Sequence, residues 1–193
     1  MKRDEIITAA MHLFAEHGYE GTTLNDIAKK VEIKKPSLYA HFVNKEDLFL
    51  QVFQSVLGEH VLQTEKVLAQ LPNLSIQDQL FHILEQVCTY YHRTNPSKIT
   101  FLKRIMLFPP PSMQGQLRVS FLAIEQKLTM KLETLFQTGI DQGLIRKLPI
   151  TSLLAGYYCL LDGLFLQIFY YGQEHFEQRL PEVWSLFWQG IGK

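Results

Sequence analysis

Residues 18–48 read GYEGTTLNDIAKKVEIKKPSLYAHFVNKEDL, a run of short helical patterns separated by turns. Thr23 is suited to cap one helix, because Asp26 follows three residues later and completes a capping-box pattern. A tight connection over residues 32–34 leads into a further helix, predicted over residues 35–42. Two short helices joined by such a tight turn predict a helix-turn-helix.

The second of these helices carries small residues on its outward face. Leu38 and Phe42 are four residues apart and should both face the core. The opposite face then carries small or polar side chains, which let a helix approach the base edges in the major groove of DNA. These outward residues are Pro36, Ser37 and Ala40, flanked by Tyr39 and His41.

The charge of the chain is balanced overall but uneven locally. The 193 residues contain equal numbers of basic and acidic side chains, so the formal net charge is zero. That balance excludes a histone-like protein that coats nucleic acid through bulk charge. Residues 29–45 nevertheless hold five lysines against one acidic residue, Glu32, a local net charge of +4. A solvated lysine-rich face is a common alternative, but together with the motif the charge favours contact with DNA.

Residues 4–50 resemble the DNA-binding region of the tetracycline-repressor (TetR) family of bacterial regulators. The resemblance implies an all-helical C-terminal regulatory domain and a homodimer. The sequence departs from the family at the turn, where Val31 and Glu32 replace a small residue and a glycine. It also places Lys34 where a capping serine is common. A glutamate at the glycine position costs roughly 1 kcal/mol or more if its φ is positive.

The resemblance and the outward face together define a predicted DNA-binding set. Residues that match Tyr39, His41 and Lys45 hold the DNA backbone in the family, which contributes affinity but little sequence information. Thr23, at a helix N-terminus, is suited to hold a phosphate. The predicted DNA-binding residues are Thr23, Asn25, Lys34, Lys35, Pro36, Ser37, Tyr39, Ala40, His41 and Lys45.

The rest of the chain has helical periodicity, and no convincing run of alternating strand residues interrupts it. We therefore expect an all-α protein. Residues 1–47 are predicted to form the three-helix helix-turn-helix domain, and residues 48–193 the helical ligand-binding and dimerisation domain. A glycine after His17 should close the first helix. The longer helices are predicted at residues 45–70, 75–93, 99–108, 116–142, 151–171 and 174–190.

The middle of the chain is rich in aromatic residues and methionine. Such a composition fits a mostly apolar ligand pocket, although for any single residue an ordinary place in the core is the simpler interpretation. The resemblance implies a pocket among the middle helices. The residues predicted to line it are Tyr91, Phe101, Arg104, Met106, Phe121, Gln126, Phe165 and Phe169.

The last two helices are predicted to form the dimer interface, by pairing with their symmetry mates as a four-helix bundle. A C2 interface of this kind is self-complementary, and large aromatic side chains are typical of interface centres. Burial within one subunit is the alternative. The predicted interface residues are Leu153, Gly156, Leu160, Gly163, Leu164, Trp184, Phe187 and Trp188.

One apolar segment, Leu153 to Tyr171, is long enough to span a bilayer. Its single charged residue, Asp162, lies mid-segment, where a lone carboxylate in lipid would be costly. We favour a helix buried inside a protein, and a helix that is apolar all round has partners on two faces. No membrane partner is therefore expected.

The sequence holds no motif of a common enzyme class. Cys88 and Cys159 match no metal or redox spacing and are expected to be free, buried thiols in a reducing cytoplasm. The histidines lack metal-ligand spacing, and no nucleophile elbow or phosphate loop is present. We expect no enzyme activity, cofactor or metal. The predicted function is a DNA-binding transcriptional regulator, most simply a repressor that a small apolar molecule releases from a palindromic operator. The alternative is a helical carrier of lipids or small molecules without a transcriptional role.

Overall fold

A computed structural model describes residues 2–71 and 73–193. Within it, the side chains of Gln70, residues 91–94 and Ile124 are outside the described set. No strand occurs among the described residues, and the only β pairing in them is one isolated bridge between Ile145 and Gly192. The prediction of an all-α protein is confirmed. The helices are α1 (Lys2–Gly21), α2 (Leu24–Lys30), α3 (Lys35–Leu38), α4 (Lys45–Gln70), α5 (Ile76–Thr94), α6 (Pro96–Leu107), α7 (Gln114–Asp141) and α8 (Ile150–Ile191), with a 3₁₀ turn at Pro111–Met113.

Two glycines interrupt helices. Gly18 has φ 75° and ψ 177° inside α1, so the predicted end of the first helix after His17 is confirmed. Gly172 has φ 79° and ψ 174° inside α8, and it separates the two helices predicted at residues 151–171 and 174–190. Glycine accepts a positive φ without the steric cost of a Cβ atom. Each long run therefore consists of two helical parts joined at a glycine.

Two predicted helix bounds are wrong. α6 begins at Pro96, three residues earlier than predicted, because the Asn95 side chain accepts a hydrogen bond from the amide of Lys98 and caps the helix. α3 ends at Leu38 instead of residue 42. Beyond it the amides of residues 41 and 42 both bond to the Leu38 carbonyl, at 2.9 Å each, so the chain continues as a turn.

The chain divides into two compact units, each with its own core. The first unit comprises Met1–Val61 and Tyr91–Ile124. Phe49 of α4 lies at the centre of its core, with its ring 5.0 Å from that of Phe14 and 5.6 Å from that of Phe101. These contacts bring α1, α4 and α6 together. The boundary predicted after residue 47 concerns the DNA-binding domain, and it stays a prediction.

The second unit comprises Leu62–Tyr90 and Glu125–Lys193. Tyr157 of α8 is fully buried at its centre, where its hydroxyl donates to the Leu80 carbonyl at 2.7 Å. Its ring makes an edge contact with that of Phe136, at 5.9 Å between centroids. A buried tyrosine needs such a partner for its hydroxyl. The bond therefore fixes α8 against α5 inside this unit.

Candidate DNA-binding site

The N-terminus of α2 is closed by a complete capping box. The Thr23 hydroxyl oxygen accepts a hydrogen bond from the Asp26 amide at 3.2 Å, and the Thr23 amide donates to the Asp26 carboxylate at 3.1 Å. The Thr23 hydroxyl also donates to this carboxylate at 2.6 Å. These hydrogen bonds to the charged form lower the pKa of Asp26. The predicted cap is confirmed, and it gives a seven-residue helix a defined start.

The turn between α2 and α3 is a Schellman motif with a glutamate at the left-handed position. The Glu32 amide bonds to the Lys29 carbonyl at 3.2 Å, and the Ile33 amide bonds to the Ala28 carbonyl at 3.0 Å. Glu32 has a φ of 55°, and it is the only non-glycine residue with a positive φ in the described chain. The sequence departure at this position therefore places a side chain in a conformation that favours glycine.

α3 and the turn after it present the predicted contact residues to solvent. Leu38 and Phe42 are buried, with exposed fractions of 1% and 3%, so the predicted inward pair is confirmed. Every predicted DNA-binding residue except Lys45 is exposed, and Tyr39 is 52% exposed. The lysines at positions 29, 30, 34 and 35 are exposed as well. The outward face of α3 thus has the composition that the sequence predicted for it.

Lys45, at the start of α4, uses two of its hydrogen-bond donors within the protein. Its Nζ donates to the carbonyl oxygens of Tyr19 at 2.8 Å and Thr22 at 3.1 Å. It also lies 4.1 Å from the centre of the Tyr19 ring, a cation–π distance. An ammonium group has three donors, so one N–H of Lys45 remains for a phosphate. The structure adds a local role that the sequence did not predict.

Comparison with known proteins identifies this region. Residues 6–52 match the family model described as bacterial regulatory proteins of the tetR family. Through this stretch, the chain is similar to the DNA-binding region of TetR-family regulators. The biofilm operon icaADBC negative transcriptional regulator IcaR of Staphylococcus epidermidis is 57% identical over 47 residues, which are 24% of this chain and 25% of that protein. IcaR of Staphylococcus aureus is 57% identical over 49 residues, 25% of this chain and 26% of that protein.

The chain aligns with about a quarter of the length of these curated relatives. Solved structures extend the likeness of the fold to the whole chain. A transcriptional regulator from Saccharomonospora viridis in complex with choline has a TM-score of 0.77 at 19% identity, covering 99% of this chain and 97% of its own. FadR from Bacillus subtilis in complex with stearoyl-CoA has a TM-score of 0.74 at 18% identity, covering 97% and 98%. The family and the relatives are transcriptional regulators, in agreement with the expectation that the chain is not an enzyme.

The residues predicted to line a ligand pocket fall in both units of the chain. In the first unit, Phe101 is core, Phe121 packs on Phe53 at 5.1 Å, and Met106 is 43% exposed. In the second, the rings of Phe165 and Phe169 are 5.6 Å apart, and Gln126 is exposed. The side chain of Tyr91 lies outside the described residues. The pocket therefore stays a prediction.

Arg104, one of the residues predicted to line the pocket, makes hydrogen bonds within the first unit that the sequence did not predict. Its Nε donates to the Ala15 carbonyl and its Nη2 to the Glu16 carbonyl, both at 2.8 Å. The guanidinium thus binds the carbonyl end of α1, inside the first unit. Sequence reasoning missed this contact because the partners are 88 and 89 residues apart and no local pattern signals it.

Three of the predicted interface residues are buried within the chain itself. The exposed fractions are 2% for Leu153, 2% for Leu164 and 6% for Trp184. Trp184 packs on Phe81 at 5.7 Å and stacks on Trp188 at 5.8 Å. These side chains fill the core of the second unit, and their predicted part in a dimer interface stays a prediction. The remaining members of the set are exposed or half-buried, namely Gly156, Leu160, Gly163, Phe187 and Trp188.

The first half of α8 leaves a narrow face of small residues uncovered. Ala155, Gly156, Cys159 and Gly163 are all exposed and recur at helical spacing. The predicted burial of Cys159 is therefore wrong, whereas that of Cys88 is confirmed. A Cβ atom on Gly156 would lie 3.3 Å from the Phe187 ring, so this glycine makes room for a side chain of the same chain. α8 is the one helix of the described residues that is long and apolar enough to cross a membrane by length and composition. Only 28% of its most apolar window is buried inside the chain. Large exposed apolar faces often mark interaction sites, so this face of α8 is the candidate for the predicted dimer contact.

Proposed function

We propose that this chain is a sequence-specific transcriptional repressor of the TetR family and acts in the cytoplasm. In this proposal a homodimer binds a palindromic operator and is released by a small, largely apolar molecule. The observation that carries the proposal is the exposed outward face of α3 with its neighbouring lysines, on a domain that matches the family model. The negative transcriptional regulation named for IcaR, whose DNA-binding region is 57% identical, favours a repressor over an activator.

The outward side chains divide into those that read bases and those that hold phosphates. Pro36 and Ala40 have the size to contact thymine methyl groups, and Ser37 is suited to bond to a base edge. Lys35 is suited to reach the acceptors of a guanine. The capped N-terminus of α2, with Thr23 and Asn25, and the side chains of Lys34, Tyr39, His41 and Lys45 then hold the DNA backbone.

The dimer would form through the uncovered face of α8. Ala155, Cys159 and Gly163 let a second copy of the helix approach closely, and nothing lies within 4 Å of a Cβ atom built on Gly163. Leu186, which is 70% exposed, adds an apolar contact from the second half of α8. Because a C2 dimer buries the same face twice, it would cover the apolar surface of both chains. Leu186→Glu should yield a folded monomer in sedimentation experiments, and an unchanged dimer would place the interface elsewhere.

The effector is proposed from composition and from likeness of fold. Stearoyl-CoA and choline are bound by two regulators that share the fold, which supports a small-molecule effector for this chain without naming it. Release would follow from a population shift, in which the effector prefers a conformation with wrongly spaced recognition helices. By linkage, the operator must weaken effector binding by the same factor by which the effector weakens operator binding.

The test is selection of duplexes from a random DNA library by the full-length chain, followed by binding titrations at two salt concentrations. We expect a palindromic consensus and an affinity that falls steeply with salt, because phosphate contacts release counterions. Lys35→Ala should alter preference at particular base pairs, while Lys147→Ala, an exposed lysine of the second unit, should change nothing. A chain that enriches no sequence would refute the proposal.

A further inference from the structure

The last turns of α1 and the residue that follows them, residues 15–22, are bound by side chains from elsewhere in the first unit. Gly18 interrupts the helix here, and the carbonyls at a helix end lack backbone donors. The Thr22 hydroxyl donates to the carbonyls of Leu13 at 3.0 Å and Gly18 at 2.8 Å. Lys45 of α4 binds the carbonyls of Tyr19 and Thr22, after the glycine. We refer to residues 15–22 as the α1–α2 segment.

Arg104 of α6 holds the part of this segment that precedes the glycine. Its planar guanidinium donates two hydrogen bonds of 2.8 Å, to the consecutive carbonyls of Ala15 and Glu16. A Cβ atom built on Gly18 would lie only 3.2 Å from Nη1 of Arg104, so the missing side chain lets the guanidinium lie close to the backbone. A cation at this place also suits the negative end of the helix dipole.

We infer that Arg104 is a positioning residue for operator binding, through which α6 sets the orientation of the helix-turn-helix. The inference rests on the proposed function. α2 begins two residues after the α1–α2 segment, at the cap formed by Thr23, and its Schellman turn leads directly into α3. A segment fixed by α6 at one end and by Lys45 of α4 at the other therefore presents α2 and α3 in one orientation. Without Arg104, the segment makes fewer hydrogen bonds and α2 and α3 adopt more than one orientation. Only one of these orientations binds DNA, so the affinity falls.

The experiment compares three variants of the full-length chain. Arg104→Met removes the donors but keeps an apolar stem of similar length, and Arg104→Lys restores a cation with three donors. Lys98→Met is the matched control: it also removes a cation from α6, but the partner of Lys98 is Glu59 on α4, away from the α1–α2 segment. Each variant is titrated with the palindromic duplex selected by the wild-type chain and with a scrambled duplex, well below its unfolding temperature. Hydrogen exchange of the amides of residues 18–23 is measured without DNA.

We expect Arg104→Met to bind the selected duplex roughly tenfold more weakly than Lys98→Met. If the binding-competent arrangement falls to about a third of the population in each protomer, it falls to about a ninth in a dimer that needs both. The affinity of the dimer for DNA then falls about tenfold. The salt dependence should keep its slope, because no phosphate contact has been removed. Exchange over residues 18–23 should rise in Arg104→Met and stay unchanged in Lys98→Met. Arg104→Lys should show an intermediate affinity and an intermediate rate of exchange.

Three results would overturn the inference. The first is equal affinity of Arg104→Met and Lys98→Met for the selected duplex. The second is a shallower salt slope in Arg104→Met, which would make Arg104 a direct phosphate contact. The third is unchanged exchange over residues 18–23. A wild-type chain that selects no duplex would instead refute the proposed function itself, and the positioning role would fall with it.

Discussion

Replacing Glu32 by glycine should stabilise the protein. Glu32 stands at the left-handed position of the Schellman turn, with a φ of 55°, and its described hydrogen bonds are made by its backbone. Glycine keeps these backbone bonds and removes the clash between Cβ and the carbonyl oxygen. The change therefore isolates the cost of a side chain in the left-handed region, at the turn that leads into the recognition helix.

The expected gain is the difference between two opposing effects. An L-residue in the left-handed conformation costs roughly 1–2 kcal/mol. Glycine gives back about 0.5–1 kcal/mol of this, because it makes the unfolded chain more flexible. The net stabilisation is then about 0.5–1 kcal/mol per protomer. For a chain of this length, 1 kcal/mol shifts the Tm by about 2–4 °C, so we expect a rise of about 1–4 °C.

The assay is thermal unfolding at fixed protein concentration, with Glu32→Gln as the matched control. Glutamine removes the charge but keeps the Cβ atom, so the Tm of Glu32→Gln should stay close to that of the wild type. Both variants raise the local charge of residues 29–45 from +4 to +5 and should bind DNA more tightly at low salt. If Glu32→Gly is no more stable than Glu32→Gln, the strain assigned to this turn does not exist.

Three further outcomes are expected. Trp184→Ala should destabilise the fold of the protomer by about 3–5 kcal/mol, measured by chemical denaturation, and a folded monomer of wild-type stability would contradict the observed burial. Thiol reagents should modify Cys159 slowly in the dimer, and faster as dilution produces monomers. Cys88 should stay inert, because burial raises its pKa to about 12. A rate of Cys159 modification that does not depend on protein concentration would exclude Cys159 from the interface. Thr23→Ala should cost about 1 kcal/mol of stability near neutral pH. Because the pKa of Asp26 is lowered in the folded state, the capping contribution is present above the ordinary carboxyl range and is lost as the pH falls, so the wild type and Thr23→Ala should converge in acid; a constant difference in their Tm would refute this link.

Local patterns could be predicted from the sequence, whereas contacts between distant segments could not. The capping box at Thr23, the end of the first helix at Gly18 and the inward pair of Leu38 and Phe42 depend on residues within four positions of one another. The contacts of Arg104 with α1 and of Trp184 with Phe81 could not be predicted, because these partners come from other helices. The sequence of α8 shows which of its residues are apolar. It does not show which of its apolar faces packs against the core of the same chain and which would pack against a second copy.

The short helices of the DNA-binding unit explain why distant side chains matter for function. α2 has seven residues and α3 has four, and helices of this length are not stable in water by themselves. Their position must come from caps and from packing. The cap at Thr23 is local, but the segment before it is held by Lys45 and Arg104, from two helices outside the motif. An effector that moves α6 could therefore change DNA affinity without touching any residue that contacts DNA, because it would alter the support on which the recognition helix depends.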